Sequence, residues 1–144
     1  MKIDNSWLGK PVVYKDLVGK EQEAYNATKL AAIMANYGYL ESTKISGDKW
    51  GADLLFYRSS DTDVKKVQLK GRVTFNRHYI GKNLHIAFPD EDGWYVYPHD
   101  TLVDEAQSIS SWSKTLSWTS ESGGYSWNSP PAWLKKLLKP WKIS

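Results

Sequence analysis

Hydrophobic positions along the chain predict a long helix followed by short strands. Apolar residues between 25 and 37 recur at the three- and four-residue spacing of a helix, and Gly38 predicts its end: Ala27, Leu30, Ala31, Met34 and Tyr37. Glu23 lies four residues before Ala27, so we expect it to project from the same packed stripe and to face the sheet. Glu21 lies about 200° away from that stripe and is expected to face water. Because the helix dipole favours a carboxylate in the first turn, helix capping is the alternative role for Glu23.

Two apolar runs after this helix predict a β-hairpin. Residues 50–58 and 64–70 are rich in strand-forming side chains, and the polar residues between them predict the turn. Because side chains alternate across a strand, Gln68 and Lys70 share one face of the second run. Asp53, near the start of the first run, is expected to lie beside them.

The three polar side chains of this hairpin are the groups that metal-dependent phosphodiester cleavage requires. Asp53 would anchor Mg²⁺ or Mn²⁺, and the Gln68 amide and the Leu69 carbonyl would add neutral oxygen ligands. Lys70 would favour the hydroxide form of the attacking water or stabilise the charge that develops on the phosphate. Taken singly, the same residues also have ordinary structural roles, in a turn or on a solvated strand.

Three short motifs resemble those of the PD-(D/E)xK nuclease superfamily. Gly19 and Glu23 open a helix, Gly51-Ala-Asp53 lies in a strand, and Gln68-Leu-Lys70 lies in the next strand. The spacing of Gly19 and Glu23 is similar to that of archaeal Holliday-junction resolvases and of group I intron-encoded endonucleases of this fold. The resemblance covers residues 18–105. It implies an α/β restriction endonuclease-like core, in which a helix, mostly antiparallel strands forming a mixed sheet and a second helix follow one another, and a Mg²⁺-dependent DNA endonuclease.

Two positions differ from the family pattern. Ala52 replaces the usual proline, and Gln68 replaces the usual glutamate or aspartate. The loss of a carboxylate reduces the negative charge that would hold a second metal ion. Two functions therefore stay open: an endonuclease with Asp53, Gln68, Lys70 and Glu23 as catalytic residues, or a silent nucleic-acid-binding or protein-assembly module of the same fold. A third reading is a small domain in which these residues are only structural.

A basic run begins on the second strand of the hairpin. No acidic residue occurs between Lys65 and Lys82, although the net charge of the chain is only +3. Phosphate contacts would therefore flank the metal site. The candidate DNA-binding residues are Lys65, Lys66, Arg72, Arg77, His78 and Lys82. A solvated hairpin with ordinary surface charge is the alternative. By analogy with the family, we also expect a homodimer, because a duplex has two strands to cut.

The second half of the predicted core continues the α/β pattern. Residues 84–88 and 94–97 predict two antiparallel strands, and residues 99–107 predict a short helix. We therefore assign residues 1–108 to a nuclease-like core with an N-terminal extension. Residues 109–144 form a tryptophan-rich C-terminal segment that packs on the core or lies at a dimer interface.

The C-terminal segment contains five of the eight tryptophans. Residues 131–139 predict a short basic amphipathic helix. We expect the rings to cover a face of the sheet that would otherwise be exposed. Stacking on nucleic-acid bases and a dimer interface are the alternatives.

Composition excludes several other classes of site. The chain has no cysteine, and its three histidines lack the spacing of zinc ligands. No phosphate-binding glycine-rich loop, nucleophile motif or dinucleotide fingerprint is present, so no organic cofactor is expected. No apolar stretch approaches the ~20 residues of a membrane span, and the first residues lack a signal core. A cytoplasmic protein without a membrane partner is expected.

Overall fold

The computed structural model describes residue 2 and residues 4–45, 51–59, 64–91, 93–121 and 123–144. The strands are β1 (Glu41–Lys44), β2 (Leu54–Tyr57), β3 (Lys65–Leu69), β4 (Thr74–Asn76), β5 (Leu84–Asp90), β6 (Gly93–Pro98), β7 (Gly124–Ser126) and β8 (Lys142–Ile143). The helices are α1 (Gly19–Ala35), α2 (His99–Gln107), α3 (Leu116–Thr119) and α4 (Ala132–Leu138). Within the described residues, six strands form a mixed sheet in the order β1-β2-β3-β5-β6-β8. The expected α/β class with a mixed sheet is confirmed.

The predicted hairpin is present as β2 and β3. These strands pair antiparallel, with Leu54 opposite Val67. On one side β1 extends the sheet antiparallel to β2, and on the other β5 lies parallel to β3. Residues 60–63 of the predicted turn and Trp50, where the first run was expected to begin, lie outside the described residues.

α1 covers one face of the sheet. Leu30 and Met34 are buried and belong to one hydrophobic cluster with Phe56 and Val67. These helix residues are four apart, so both point to the same side of α1. The periodic stripe that predicted the helix is therefore also the surface that packs on β2 and β3.

The two ends of α1 differ in how well the sequence predicted them. At the start, the Glu21 carboxylate accepts a hydrogen bond from the Val18 N–H at 3.0 Å. At the other end the helix stops two residues before Tyr37, which is exposed, so its expected place in the packed stripe is wrong. Gly38 adopts a φ of +89° and redirects the chain, and Tyr39 is buried instead.

An aromatic layer covers the opposite face of the sheet over β5 and β6. Trp112 and Trp118 are buried in it, with ring centroids 4.9 Å apart. The Trp112 indole N–H donates to the carbonyl of Ala106 in α2 at 3.0 Å. The expectation that tryptophans cover the sheet is confirmed for these two residues, and their burial leaves neither ring available to stack on a base.

The C-terminal segment is joined to the core at several points. β7 pairs antiparallel with β4 in a second, two-stranded sheet, and β8 pairs antiparallel with β6. Lys142 of β8 forms an ion pair with Asp90 at 3.1 Å. The predicted amphipathic helix is α4, which buries Leu134 and Leu138. No helix in the described ranges has the length and apolar character needed to cross a membrane.

Candidate functional site

A cavity of about 890 Å³ lies where the start of β2, the end of β3 and the first turns of α1 meet. The four predicted catalytic residues all line it: Glu23, Asp53, Gln68 and Lys70. Leu69, the third predicted metal ligand, lines it as well. The structure thus brings together side chains that the sequence places up to 47 residues apart.

Two hydrogen bonds to the backbone of β3, one from the Asp53 N–H and one to its carboxylate, hold Asp53 next to the end of this strand. The Asp53 N–H donates to the carbonyl of Val67 at 2.9 Å. The Asp53 Oδ2 atom accepts the N–H of Leu69, also at 2.9 Å. These bonds reach the residues on either side of Gln68, so the carboxylate is held beside the Gln68 side chain. Charge-assisted bonds of this type fix orientation as well as position.

Lys70 lies immediately after β3 and is half-buried. Its N–H donates to the carbonyl of Ala87 in β5 at 2.9 Å, so its backbone is part of the sheet. Its ammonium nitrogen lies 5.7 Å from the centroid of the Tyr79 ring. The end of the side chain therefore lies within the range of a cation–π contact with this ring.

The two carboxylates at the start of α1 have different surroundings. Glu21 caps the helix through the Val18 N–H, so the capping role belongs to Glu21. Glu23 lines the cavity but is exposed, and is not packed in the apolar stripe as expected. The packed part of the stripe begins at Ala27, so Glu23 lies one helical turn before it.

The cavity also has walls that no sequence motif indicated. Tyr14, from the N-terminal segment, accepts a hydrogen bond from the Asn26 amide through its hydroxyl at 2.9 Å. Lys20 and Lys44 line the cavity from α1 and β1. Asn26 lies three residues after Glu23 and shares its helix face, which is a signal that the sequence did contain. Tyr14 and Lys44 lie in exposed stretches without periodicity.

Two of the predicted DNA-binding residues contact the C-terminal segment. The Arg72 guanidinium donates to the side-chain oxygen of Asn128. The Arg77 guanidinium donates to the carbonyl of Thr119 at 3.1 Å. Both side chains remain exposed, but each has a structural contact within the chain.

The other predicted DNA-binding residues lie away from the cavity wall. Lys65 and Lys66 are at the start of β3, roughly 15 Å along the strand from Lys70. His78 and Lys82 are exposed in the segment between β4 and β5. The residues of the basic run therefore lie along β3 and the loop after it. Lys70 is the basic residue of this run that lines the cavity.

Comparison with known proteins gave no match to a family model, to a curated protein or to a solved structure.

The donor atoms in the cavity suit a hard divalent cation. Oxygen ligands are available from the Asp53 carboxylate, the Gln68 amide and the Leu69 carbonyl, which match the preference of Mg²⁺. Glu23 adds a second carboxylate to the same cavity. The described part of the chain contains no group of three histidine, cysteine, aspartate or glutamate side chains that could hold a metal. A site here would thus depend on neutral oxygens, water and substrate phosphate for most of its coordination.

Proposed function

We propose that the chain is a metal-dependent DNA endonuclease of the PD-(D/E)xK type, built on a restriction endonuclease-like core. One observation carries the proposal: Glu23, Asp53, Gln68 and Lys70 come from three separate elements and line one cavity. The order of helix, hairpin, strands and helix is the one that the resemblance implies.

The residues divide the chemistry between them. Asp53, Gln68 and the Leu69 carbonyl would hold Mg²⁺ or Mn²⁺, which supplies Lewis-acid polarisation of the scissile phosphate. Lys70 provides a positive charge for the phosphate oxygens, where negative charge develops in the transition state. Glu23 would accept a hydrogen bond from a water molecule on its side of the cavity.

In the reaction, the water oxygen forms a bond to phosphorus and gives up a proton to solvent. The bond from phosphorus to the leaving ester oxygen breaks, and that oxygen takes up a proton from solvent. The products are a phosphomonoester and a hydroxyl group. Lys20 and Lys44 add positive charge to the cavity wall and would contact neighbouring phosphates. A homodimer belongs to the same proposal, because two cavities would serve the two strands of a duplex.

A second candidate function follows from Gln68. With an amide at this position, the hairpin contributes a single carboxylate, Asp53, to the cavity, so less negative charge is available for a metal. A catalytically silent module would use the same cavity and its lysines to bind nucleic acid. The two candidates differ in whether bound DNA is cut.

Cleavage of labelled duplex, branched and single-stranded DNA in Mg²⁺ or Mn²⁺ tests the proposal. We expect Lys70→Met and Glu23→Gln to lower the cleavage rate, and to retain binding measured in EDTA. Lys29→Met is the matched control, because Lys29 is exposed on α1 and lies outside the cavity lining. Binding without cutting by the wild-type chain would establish the silent module. Metal-independent cutting that Lys70→Met leaves unchanged would refute the assigned site.

A further inference from the structure

Two buried polar side chains anchor the segment that follows Lys70. The Tyr97 hydroxyl donates to the carbonyl of Thr74 at 2.7 Å and accepts the Thr74 N–H at 3.1 Å. Burial raises the pKa of Tyr97, so this hydroxyl keeps its proton. The Nε2 atom of His99 accepts the N–H of Asn76 at 3.0 Å. Both side chains are fully buried, and satisfied buried groups of this kind hold one backbone conformation.

Asp100 binds His99 and also the far end of the segment that follows Lys70. Because Nε2 of His99 accepts a hydrogen bond, the ring proton resides on Nδ1, which donates to Asp100 Oδ1 at 3.0 Å. Burial lowers the pKa of His99 and keeps the ring neutral, although Asp100 acts in the opposite direction. The other Asp100 oxygen accepts the N–H of Gly81 at 2.9 Å. The start of α2 thus binds both Asn76 and Gly81.

Tyr79 lies between these two attachment points. Its ring meets His99 edge-on, with centroids 5.5 Å apart and an angle of 81° between the ring planes. It is also half-buried against the aromatic layer. The Lys70 ammonium lies 5.7 Å from the Tyr79 centroid, within the roughly 6 Å over which a ring face attracts a cation.

We propose that Tyr79 is a positioning residue for the cavity: its ring, locked by His99 and Asp100, holds the ammonium of Lys70 in place. This inference rests on the proposed function and adds to it the residue that positions Lys70. A ring face attracts the lysine ammonium, so the contact with Tyr79 would fix where the end of the Lys70 side chain lies beside the phosphate.

NMR of the full-length chain tests the positioning without any need for activity. Protons on the carbon next to the Lys70 ammonium should resonate upfield of those of exposed lysines, because of the ring current of Tyr79; loss of the signal in Lys70→Met assigns it. Tyr79→Phe should keep the shift, since it keeps the ring. Tyr79→Leu should abolish it while the amide spectrum of the sheet stays unchanged.

Asp100→Ala provides a second route to the same result if Tyr79→Leu does not fold. It removes the contacts to His99 and Gly81 and should move the Lys70 signal toward the position of exposed lysines. Asp104→Ala is its control, on the exposed side of α2. A Lys70 signal that stays in place in both Tyr79→Leu and Asp100→Ala would overturn the positioning role.

Kinetics test the consequence for catalysis. A cation–π contact of about 1 kcal/mol corresponds to about a fivefold change in rate, so kcat of Tyr79→Leu should fall about fivefold with KM unchanged. Tyr79→Phe should match the wild type, because it keeps the ring. An unchanged kcat in Tyr79→Leu with its fold intact would overturn the effect of the positioning on catalysis. A wild-type chain that cuts no DNA would refute the proposed function, while the NMR result would still decide whether Tyr79 holds Lys70.

Discussion

Replacing Asp53 by asparagine and by alanine separates the charge of this residue from its backbone hydrogen bond. The Oδ2 atom accepts the N–H of Leu69 at 2.9 Å. Asparagine keeps a carbonyl oxygen that can accept the same N–H, whereas alanine removes the acceptor. We therefore expect Asp53→Asn to be destabilised less than Asp53→Ala.

The size of this destabilisation follows from the burial of the hydrogen bond. Bonds to charged groups contribute about 1.5–3 kcal/mol, and because both Asp53 and Leu69 are only half-buried, the lower end applies. The free energy of unfolding of Asp53→Ala should thus be about 1.5–2 kcal/mol below that of the wild type. For a chain of 144 residues this corresponds to a Tm lower by about 3–8 °C.

Catalysis should respond differently from stability. Both variants lose the carboxylate that would hold the metal, so both should lose metal-dependent cleavage by more than about 100-fold. Urea unfolding followed by tryptophan fluorescence measures the first effect, and cleavage of labelled DNA in Mg²⁺ measures the second. Asp104→Asn, on the exposed side of α2, is the control for both assays. Full cleavage by Asp53→Asn, or equal destabilisation by asparagine and alanine, would refute the reasoning.

Two further predictions concern the aromatic layer and a partly buried histidine. Trp112→Ala should lower the free energy of unfolding by about 3–5 kcal/mol, because it leaves a cavity in the aromatic layer. The control Leu116→Ala, at an 83% exposed position, should change this free energy by less than about 0.5 kcal/mol. Similar values for the two variants would contradict the burial of Trp112 in the layer. Burial, and then the nearby charge of Lys65, lower the pKa of His85 to about 4. The unfolded chain therefore binds a proton below pH ~6.5 that the folded chain excludes, and stability should fall by up to about 3 kcal/mol as the pH is lowered from ~6.5 through 4. This fall should be smaller in His85→Phe, and equal pH dependence of urea unfolding in the two proteins would refute the assignment.

The elements that depend on local periodicity were predictable from the sequence. The stripe through Leu30 and Met34 predicted α1, and alternation predicted the hairpin and the antiparallel pair β5 and β6. α2 was predicted with its observed bounds, residues 99–107. The end of α1 was misplaced, because Gly38 and a buried Tyr39 end the packed surface earlier than the apolar spacing suggests. Strand bounds also differ: β5 extends to Asp90 beyond the predicted residue 88, and β2 covers only Leu54–Tyr57 of the run 50–58.

The proximity of Asp53 and Gln68 was also predictable, because the two residues are close in the sequence. Asp53 immediately precedes β2 and Gln68 lies on β3, so the antiparallel pairing of these two strands brings them together. Glu23 joins them only because α1 packs on those strands, and its exposure depends on where that packing begins. Tyr14 reaches the cavity by contacts with α1 that have no sequence signature.

Long-range pairing decided the rest of the molecule. Residues 74–76 pair with residues 124–126, although 50 residues separate Phe75 from Tyr125, and β8 completes the sheet from the C-terminal end. The contacts of Arg72 and Arg77 with this C-terminal segment followed from that pairing and not from their charge.

By itself, the sequence determined the helix, the hairpin and the chemical character of the groups at the hairpin. Those features arise from side-chain spacing over a few residues, which local backbone geometry converts directly into a face. The tertiary structure decided that Glu23, Tyr14 and two further lysines share the cavity, and that Tyr79 lies under Lys70. Such contacts depend on which distant surfaces pack together, and no spacing along the chain encodes that choice.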